Sequence, residues 1–195
     1  MPAHVCKVAK KYDCKTIWFS TDYVFDGMNG PYDETSVPNP INEYGLSKLK
    51  GENTLCLEDP SCLILRTNVV YGQDKNEKNF VYQVLNKKVA CVPSDQMSTP
   101  TYNKDIAKCC RLLIEKNESG IFHITGNECI SREDFTNIIY FNFLIKDSKP
   151  EYKQTKEMNQ AANRPLKGGL LNTKLKFVFT QIREALEDMN ITPTL

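Results

Sequence analysis

The amino-acid sequence predicts an α/β fold that contains at least some parallel sheet. Short apolar runs alternate along the chain with segments of helical periodicity, and this order is typical of parallel strands joined by covering helices. Residues 62–70 are apolar enough to be buried on both faces, as parallel strands are. With 195 residues, the chain is long enough for one core, or for one domain with a small appended lobe.

The first elements are predicted from local patterns. Val5, Val8 and Tyr12 share one face of a helix, because positions three, four and seven residues apart align along a helix. Residues 16–19 are predicted to form a short buried strand, and the polar residues 20–22 follow it. Open α/β sheets bind their ligands at the carboxyl ends of the strands, so a site is expected at this point.

The rest of the chain continues the alternation. Residues 26–40 are rich in Gly, Pro, Asn and Asp and are predicted to form a long loop. Ser131, with Asp134 three residues later, predicts the start of a helix. The remaining elements are helices at 42–57, 80–85, 106–114, 135–139 and 181–189, strands at 62–70, 89–92, 120–125 and 170–171, and polar loops at 94–102 and 146–163.

Charge and composition argue against several classes of protein. The chain has 25 basic and 24 acidic side chains, so its net charge of +1 gives no reason to expect a nucleic-acid or anionic-membrane partner. The first 14 residues contain no continuous apolar stretch, so neither a secretory signal nor a membrane anchor is expected. Eight scattered cysteines without a Cys-x-x-Cys pair indicate reduced thiols and a cytoplasmic protein. With two histidines, no metal site is expected.

Tyr44 and Lys48 are four residues apart on a predicted helix, so their side chains lie on one face. A free tyrosine has a pKa of about 10, and a neighbouring ammonium lowers this pKa by favouring the phenolate. Tyr44 is then a candidate general acid towards a carbonyl that receives hydride, and Thr21 is a candidate donor to the same oxygen. The alternative is an exposed helix with a half-buried tyrosine, since Tyr-x-x-x-Lys alone is a weak motif.

The sequence around this pair resembles a known family. Its stretches are Ser-Thr-Asp-Tyr-Val-Phe-Asp-Gly at 20–27, Pro-Tyr-Asp-Glu at 31–34, Pro-Asn-Pro at 38–40 and Tyr-Gly-Leu-Ser-Lys at 44–48. In this order they closely resemble the extended short-chain dehydrogenase/reductases of the dTDP-4-dehydrorhamnose reductase type. The resemblance continues through Arg66 and Thr67, Tyr71 and Gly72, and Pro100 and Thr101, as far as Arg164 and Pro165, and so covers nearly the whole chain.

The resemblance implies a reaction and a set of residues. The family reduces 4-keto nucleotide sugars with NADPH or NADH, so a nucleotide-sugar substrate and a nicotinamide cofactor are expected. The implied catalytic residues are Thr21, Tyr44 and Lys48. The implied cofactor-binding residues are Ser20, Tyr44, Lys48, Thr67 and Asn68. The implied substrate-binding residues are Asp22, Tyr23, Val69, Gln96, Thr101 and Arg164.

The resemblance also implies a domain organisation. Residues 1–75 correspond to part of a Rossmann dinucleotide-binding domain that contains the catalytic tyrosine and lysine. Residues 76–195 correspond mainly to a substrate-binding lobe, with some segments that return to the Rossmann sheet. The expected fold is therefore the C-terminal part of a Rossmann-type parallel sheet domain with a small α/β substrate-binding lobe.

The glycine-rich turn of the family is missing from this sequence. None of the nine glycines begins a Gly-x-x-Gly-x-x-Gly series, whose following helix normally anchors the cofactor pyrophosphate. We expect about 90 residues of the first Rossmann half to be absent, at about 30 residues for each β-α-β unit. A gene fragment, a chain that pairs with another polypeptide, and a protein that has abandoned the cofactor are the open explanations. An opened sheet exposes an apolar edge, so a homo-oligomer or a partner chain is expected to cover it.

Val69 departs from the family and leaves a second function open. Nucleotide-sugar reductases of this type tend to have a tryptophan here that contacts the substrate, and valine cannot stack on a base or a sugar. The regulatory beta subunit of methionine adenosyltransferase shares the fold and much of the motif string. The alternative is therefore a non-catalytic subunit that stabilises or tunes a synthetase.

Three further residues have two interpretations each. Arg66 at a strand end either belongs to the site or pairs with a carboxylate. Arg164 is either a bidentate contact to a sugar diphosphate or a surface arginine. His123 lies in an apolar strand, which favours a core histidine over a catalytic one.

Overall fold

The computed structural model describes residues 2–73 and 78–191. In chain order, its helices and strands are α1 (Pro2–Lys11), β1 (Ile17–Thr21), α2 (Glu43–Glu58), β2 (Leu63–Thr67), β3 (Val70–Tyr71), α3 (Phe80–Leu85), β4 (Cys91–Pro93), β5 (Met97–Ser98), β6 (Thr101–Tyr102), α4 (Asn103–Glu115), β7 (Gly120–His123), β8 (Ile130–Ser131), α5 (Arg132–Asn142), β9 (Glu151–Lys153) and α6 (Ile182–Asp188). Short 3-10 turns follow β1 at Asp22–Val24 and β9 at Thr155–Glu157.

Three parallel strands form the main sheet, in the order β1, β2, β7. The register places Phe19 beside Leu65, and Leu65 beside Phe122. Leu63, Ile64 and Leu65 of the central strand β2 are fully buried. The predicted parallel strand with two buried faces is therefore confirmed.

Alternate residues of β2 point into cores on opposite faces of the sheet. Leu65 packs with Cys109 of α4. Ile64, its neighbour in the strand, packs with Leu55 of α2 and Cys6 of α1. Helices therefore cover both faces of the sheet, and the first turn of α2 is brought to the end of β1.

The helix α1 forms as predicted, but its apolar face lies in solvent. Cys6 is the buried residue of this helix. Val5 and Val8 of the helix are 55% and 57% exposed, and Tyr12, which directly follows the helix, is 68% exposed. We call these three residues the exposed stripe of α1. In the part of the chain that the structure describes, no strand pairs with the outer edge of β1. Both an apolar helix face and a strand edge are therefore left uncovered.

The segments predicted as polar loops contain short strands. Residues 94–102 include β5, which pairs antiparallel with β8, and β6, which pairs in parallel with β3. Residues 146–163 include β9, which pairs in parallel with β4. Leu170, predicted to lie in a strand, forms an isolated bridge with Tyr32 instead. Strands of two or three residues are too short to show a hydrophobic period, so the sequence does not reveal them.

A second core lies between α3, α5 and α6. Phe135 of α5 is fully buried there beside Tyr71 and Leu186. Ser131 caps α5, because its Oγ accepts a hydrogen bond from the Asp134 backbone N–H at 2.9 Å. The predicted start of this helix is therefore confirmed.

Neither a membrane-spanning helix nor a metal-binding cluster is found in residues 2–73 and 78–191. No helix in these ranges is both long and apolar enough to cross a bilayer. No three His, Cys, Asp or Glu side chains in them are grouped so that they could hold a metal ion. The eight cysteines are free thiols, of which Cys6, Cys62 and Cys109 are buried.

A buried ion pair joins the central strand to the helix α2. Arg66 donates to both carboxylate oxygens of Glu52, at 3.0 Å from Nε and 2.6 Å from Nη2. Both side chains are 2% exposed. The guanidinium also lies over the Phe25 ring, with 5.1 Å between Cζ and the ring centroid. Of the two interpretations of Arg66, the structure therefore supports the pair with a carboxylate.

His123 is a buried core histidine, as the sequence favoured. Its Nδ1 lies 3.0 Å from the Leu171 carbonyl oxygen, so this nitrogen carries the proton and donates it. Its Nε2 is left to accept from Arg66 Nη1 at 3.5 Å. Burial lowers the pKa of His123 to about 4, and the nearby Glu34 carboxylate opposes this shift without reversing it. The imidazole is therefore neutral at neutral pH.

Replacing Glu52 with glutamine should leave the Arg66 guanidinium buried without a counter-charge. Breaking one partner of such a pair costs about 3–5 kcal/mol, so we expect the free energy of unfolding of E52Q to fall by this amount in urea denaturation. The matched control is Glu115→Gln, which breaks an exposed pair with Arg111 and should leave the unfolding midpoint almost unchanged. Equal urea midpoints for the two variants would show that the buried pair contributes nothing to the stability of the fold.

Neutral His123 should make the fold sensitive to acid. Because its pKa is lower in the folded than in the unfolded chain, the unfolded state binds the proton first, and stability is lost as pH falls from 6.5 towards about 4. We expect up to about 1.4 kcal/mol per pH unit from this group, measured by urea denaturation across this range.

His123→Gln should remove this part of the pH dependence. His4→Gln, on the exposed side of α1, is the matched control and should retain it. The same slope in the wild type and in both variants would contradict the assignment of the acid sensitivity to His123.

Candidate active site

The polar residues that follow β1 lie at the carboxyl end of the sheet. Thr21 ends the strand, and its Oγ1 accepts a hydrogen bond from the Tyr23 backbone N–H at 3.2 Å. This bond caps the 3-10 turn Asp22–Val24. A cavity of about 920 Å³ opens beside the turn, at the position where the α/β pattern predicts a ligand.

Most of the predicted site residues meet in this cavity. Those that line it are Thr21, Asp22, Tyr23, Tyr44, Asn68, Val69 and Arg164. They come from the end of β1, the first turn of α2, the turn after β2 and the segment 160–164. Residues that are far apart in the sequence are therefore brought together at one edge of the sheet.

Tyr44 lies in the first turn of α2, close to the turn after β1. The helix begins after Asn42, whose Oδ1 accepts from the Gly45 backbone N–H at 2.8 Å. A Cβ at Gly45 would lie 2.0 Å from the Tyr23 carbonyl oxygen, so only glycine permits this approach. The rings of Tyr23 and Tyr44 consequently meet edge to face, with centroids 5.8 Å apart at 79°. Tyr44 remains 53% exposed, which leaves the phenol accessible to a ligand.

The pKa of Tyr44 is raised rather than lowered. Burial raises it, and hydrogen bonding by the Thr21 hydroxyl opposes the rise in part. The predicted lowering by Lys48 is wrong, because Lys48 Nζ donates to the Phe19 carbonyl oxygen at 2.9 Å and lies 4.9 Å from the Trp18 ring centroid. A strand carbonyl and an aromatic face both attract the ammonium. Lys48 therefore does not line the cavity.

Asp22 is a buried carboxyl group that links the turns after β1 and β2. It accepts hydrogen bonds from Asn68 Nδ2 at 3.0 Å and from Thr21 Oγ1 at 3.2 Å. Asn68 Oδ1 in turn accepts from Thr99 Oγ1 at 3.0 Å. Burial raises the pKa of Asp22, and the hydrogen bonds from Asn68 and Thr21 limit the rise. This network fixes two polar side chains in the cavity wall.

Val69 has a strained backbone in the cavity wall. Its φ of 41° lies in the left-handed region, which a β-branched residue rarely adopts. The Val69 carbonyl accepts from the Thr101 backbone N–H at 3.2 Å, which ties the turn to β6. Such strain persists where the surrounding structure enforces it, and it is concentrated at functional sites.

Ser20 and Thr67, which the resemblance places near the cofactor, lie behind the cavity wall. They stand at the carboxyl ends of the adjacent strands β1 and β2. Both hydroxyls are buried and have no hydrogen-bond partner in the described chain. Buried hydroxyls of this kind are uncommon. The register pairs Ser20 with Arg66 and Thr67 with Thr21, so the two hydroxyls point to opposite faces of the sheet, and Thr67 is the one on the same face as Thr21.

Gln96 and Thr101 do not line the cavity. Thr101 is fully buried, and its Oγ1 donates to the Thr99 carbonyl oxygen at 3.1 Å. Gln96 Nε2 donates to Thr155 Oγ1 at 2.9 Å and to Gln160 Oε1 at 3.4 Å. Because Gln160 belongs to the cavity wall, Gln96 supports the wall from behind.

Arg164 lies at the rim of the cavity. Its Nη1 donates to the Tyr23 hydroxyl oxygen at 2.8 Å. The neighbouring Asn163 carbonyl accepts from Asn42 Nδ2 at 2.9 Å, which holds the segment 160–164 beside α2. The Arg164 side chain is exposed. It is thus both a surface arginine and a cavity residue, so the two interpretations of Arg164 are compatible.

Arg132 lines the cavity and was missed by the sequence analysis. It is the first residue of α5, and its Cζ lies 4.7 Å from the centroid of the Phe80 ring. The capping pattern at Ser131 predicts where this helix begins, but carries no information about where the next side chain points. The segment 160–163 was also missed, since its polar sequence indicates only a loop.

The cavity combines hydroxyl donors with positive charge. The Tyr44 phenol and the Thr21 hydroxyl lie at one wall, together with the polar groups of Asp22 and Asn68. Two guanidinium groups, those of Arg132 and Arg164, line the same space. The arrangement suits a polar ligand that carries both a carbonyl group and an acidic group.

The sequence matches one family along nearly its whole length. The family described as the RmlD substrate binding domain matches residues 1–190. The chain is 32% identical over 173 residues to the methionine adenosyltransferase 2 subunit beta of Danio rerio, a match that covers 83% of this chain and 54% of that protein. It is 36% identical over 148 residues to the dTDP-4-dehydrorhamnose reductase of Aggregatibacter actinomycetemcomitans, covering 70% and 50%. The chain spans about half the length of these curated relatives.

Solved structures of reductases have the same fold. A dTDP-4-dehydrorhamnose reductase from Clostridium acetobutylicum gives a TM-score of 0.88 at 31% identity, and the match covers 96% of this chain and 69% of that one. The dTDP-4-dehydrorhamnose reductase from Bacillus anthracis, in complex with NADP, gives a TM-score of 0.88 at 30% identity with the same coverage. The mixed α/β architecture is that of a Rossmann-type reductase, as predicted.

Proposed function

The chain belongs to the RmlD substrate-binding domain family, and on this basis we propose that it takes part in the NAD(P)H-dependent reduction of a 4-keto nucleotide sugar. The observation that supports this most directly is the cavity shared by Tyr44 and Thr21. A phenol and a hydroxyl beside one cavity are the donors that a carbonyl oxygen needs when it becomes an alcohol. Arg164 in the same cavity suits the diphosphate of a nucleotide sugar.

In the proposed reaction, Tyr44 donates the proton that converts the sugar C4 carbonyl into a hydroxyl group. Since burial raises the pKa of Tyr44, the phenol is protonated at neutral pH and able to donate. The Thr21 hydroxyl, which donates to Asp22 Oδ1 without a ligand, would turn to donate to the same oxygen and stabilise the negative charge that develops on it. Asp22 and Asn68 orient the sugar through its other hydroxyl groups. NADPH or NADH supplies the hydride when bound.

The residues present suit the nicotinamide end of the cofactor. Thr67 brings an unpartnered hydroxyl to the end of β2 on the same face as Thr21, and Asn68, the next residue, lines the cavity. Ser20 brings a second unpartnered hydroxyl on the opposite face. Lys48 would bind a ribose hydroxyl of the cofactor. To reach it, the ammonium would leave the Phe19 carbonyl oxygen, to which it donates in the ligand-free chain. The sequence contains no glycine series for the pyrophosphate, so we expect this chain alone to bind the dinucleotide weakly.

The proposal is tested by NADPH binding and by turnover of dTDP-4-dehydrorhamnose. If the chain acts by itself, nicotinamide fluorescence should show saturable binding at or below millimolar NADPH. Tyr44→Phe should lower kcat by about 10²–10⁴-fold, because a general acid contributes in this range, and should leave the Kd for NADPH nearly unchanged.

The matched control for this test is Tyr12→Phe, a change in the exposed stripe of α1 that should leave kcat unchanged. An unaltered kcat in Tyr44→Phe would remove Tyr44 from the mechanism. The absence of saturable NADPH binding would rule out catalysis by this chain alone.

The alternative function is that of a regulatory subunit. The similarity to methionine adenosyltransferase 2 subunit beta extends over 173 residues. Val69 is compatible with this alternative, because valine offers no ring on which a sugar or a base could stack. The open edge of β1 and the exposed stripe of α1 offer a surface to a partner chain or a second copy. In this role the chain would stabilise or tune a synthetase without turnover.

Mixing with a methionine adenosyltransferase catalytic subunit distinguishes the two functions. A regulatory subunit should co-elute with the catalytic subunit in size-exclusion chromatography and should not reduce the nucleotide sugar. Val8→Lys should weaken the association if the exposed stripe of α1 is the contact. Val37→Lys, at a position that is 85% exposed in a loop, is the matched control and should not. Separate elution of the two proteins would argue against the regulatory role.

A further inference from the structure

Arg132 has a buried guanidinium nitrogen without a hydrogen-bond partner. Its Nη1 is shielded from solvent and meets no acceptor in the described chain, although the side chain lines the cavity. The guanidinium lies over the Phe80 ring, at 4.7 Å from Cζ to the centroid. An aromatic ring supports the flat face of a guanidinium and leaves the N–H donors at its edge for other partners.

No carboxylate neutralises the charge of Arg132. Among residues 2–73 and 78–191, it forms no ion pair. Asp22, the carboxylate whose charge acts on it, already accepts hydrogen bonds from Thr21 and Asn68. Burial lowers the pKa of the Arg132 guanidinium, and the positive charge of Arg164 acts in the same direction. A charged N–H donor that is shielded from water and has no acceptor is costly unless a partner arrives.

We propose that Arg132 binds an oxyanion of the ligand that occupies the cavity. A guanidinium presents two parallel N–H donors that match two oxygens of a phosphate or a carboxylate. Arg164 already donates to the Tyr23 hydroxyl and is exposed, whereas Arg132 is partly buried and its shielded Nη1 has no acceptor, so its contact with an anion is the stronger one. The oxyanion belongs either to a diphosphate or to a carboxylate on the sugar.

This inference deepens the proposed function, because it rests on a ligand in the same cavity and adds a requirement for an acidic group. A ligand without an acidic group would leave the shielded Nη1 of Arg132 without an acceptor, so the cavity discriminates against such ligands. Binding of an oxyanion needs neither NADPH nor turnover. The inference therefore holds or fails independently of whether the chain reduces a nucleotide sugar.

The experiment uses inorganic pyrophosphate and glucuronate as probes, titrated into the full chain by calorimetry. Arg132→Met removes the charge and retains an apolar contact with Phe80. We expect this variant to bind one of the probes about tenfold to hundredfold more weakly, the range for a lost charged hydrogen-bonding group. Weaker binding of pyrophosphate by Arg132→Met assigns the oxyanion to a diphosphate. Weaker binding of glucuronate assigns it to a sugar carboxylate.

The matched control is Arg183→Met. It removes another guanidinium that lies over a phenylalanine ring, at 5.1 Å from the Phe141 centroid, and it does not line the cavity. Both affinities should remain unchanged in this variant. An equal loss of affinity in Arg132→Met and Arg183→Met would show that the effect comes from net charge, and it would overturn the proposal.

Stability separates a binding role of Arg132 from a structural one. A donor that is buried without an acceptor opposes folding, so Arg132→Met should raise the urea midpoint of the ligand-free chain, whereas loss of a structural arginine would lower it. The proposal is overturned if the wild type binds neither probe, or if Arg132→Met binds both as tightly as the wild type. Arg132→Lys gives a second, independent test, because it keeps the charge without the paired donors. Weaker binding by Arg132→Lys supports the proposal, and unchanged binding overturns it.

Discussion

The position of the cavity depends on the buried pair of Arg66 and Glu52. The pair joins the central strand to the helix α2, and Arg66 also contacts His123 of β7 and the Phe25 ring. One guanidinium is thus held by a strand, a helix and a loop. Because α2 carries Tyr44 in its first turn, any displacement of the pair would move the phenol relative to the end of β1. Two buried ions tolerate little displacement, since both side chains are 2% exposed and a lost partner would leave the other charge shielded from solvent.

Features that follow from local pattern and sheet topology were predictable from the sequence. The burial of β2 on both faces follows from its apolar residues, and the alternation of strands and helices predicts parallel pairing. Thr21 and Tyr44 come together because a parallel sheet collects its strand ends, and the loops after them, at one edge. Asn68 and Val69 were expected at this edge from the family resemblance.

Features that depend on contacts between distant residues were not predictable. Lys48 shares a helix face with Tyr44, yet its flexible side chain extends to the Phe19 carbonyl and the Trp18 ring instead. Arg132 reaches the cavity because the pairing of β5 with β8 brings the start of α5 to it. Such short pairings leave no period in the sequence, so the second positive charge of the cavity became visible only in three dimensions.

The contact between Gly45 and the Tyr23 carbonyl oxygen has an evolutionary consequence. Both groups in this close approach belong to the backbone. The distance between the first turn of α2, which carries the phenol, and the strand end is therefore independent of the other side chains around the cavity. Substitutions at residues such as Val69 and Arg132 should therefore leave the position of Tyr44 unchanged. A framework that fixes Tyr44 in this way would tolerate a change of ligand without a change of fold, and the proteins to which this chain is similar include both a reductase and a subunit of a methionine adenosyltransferase.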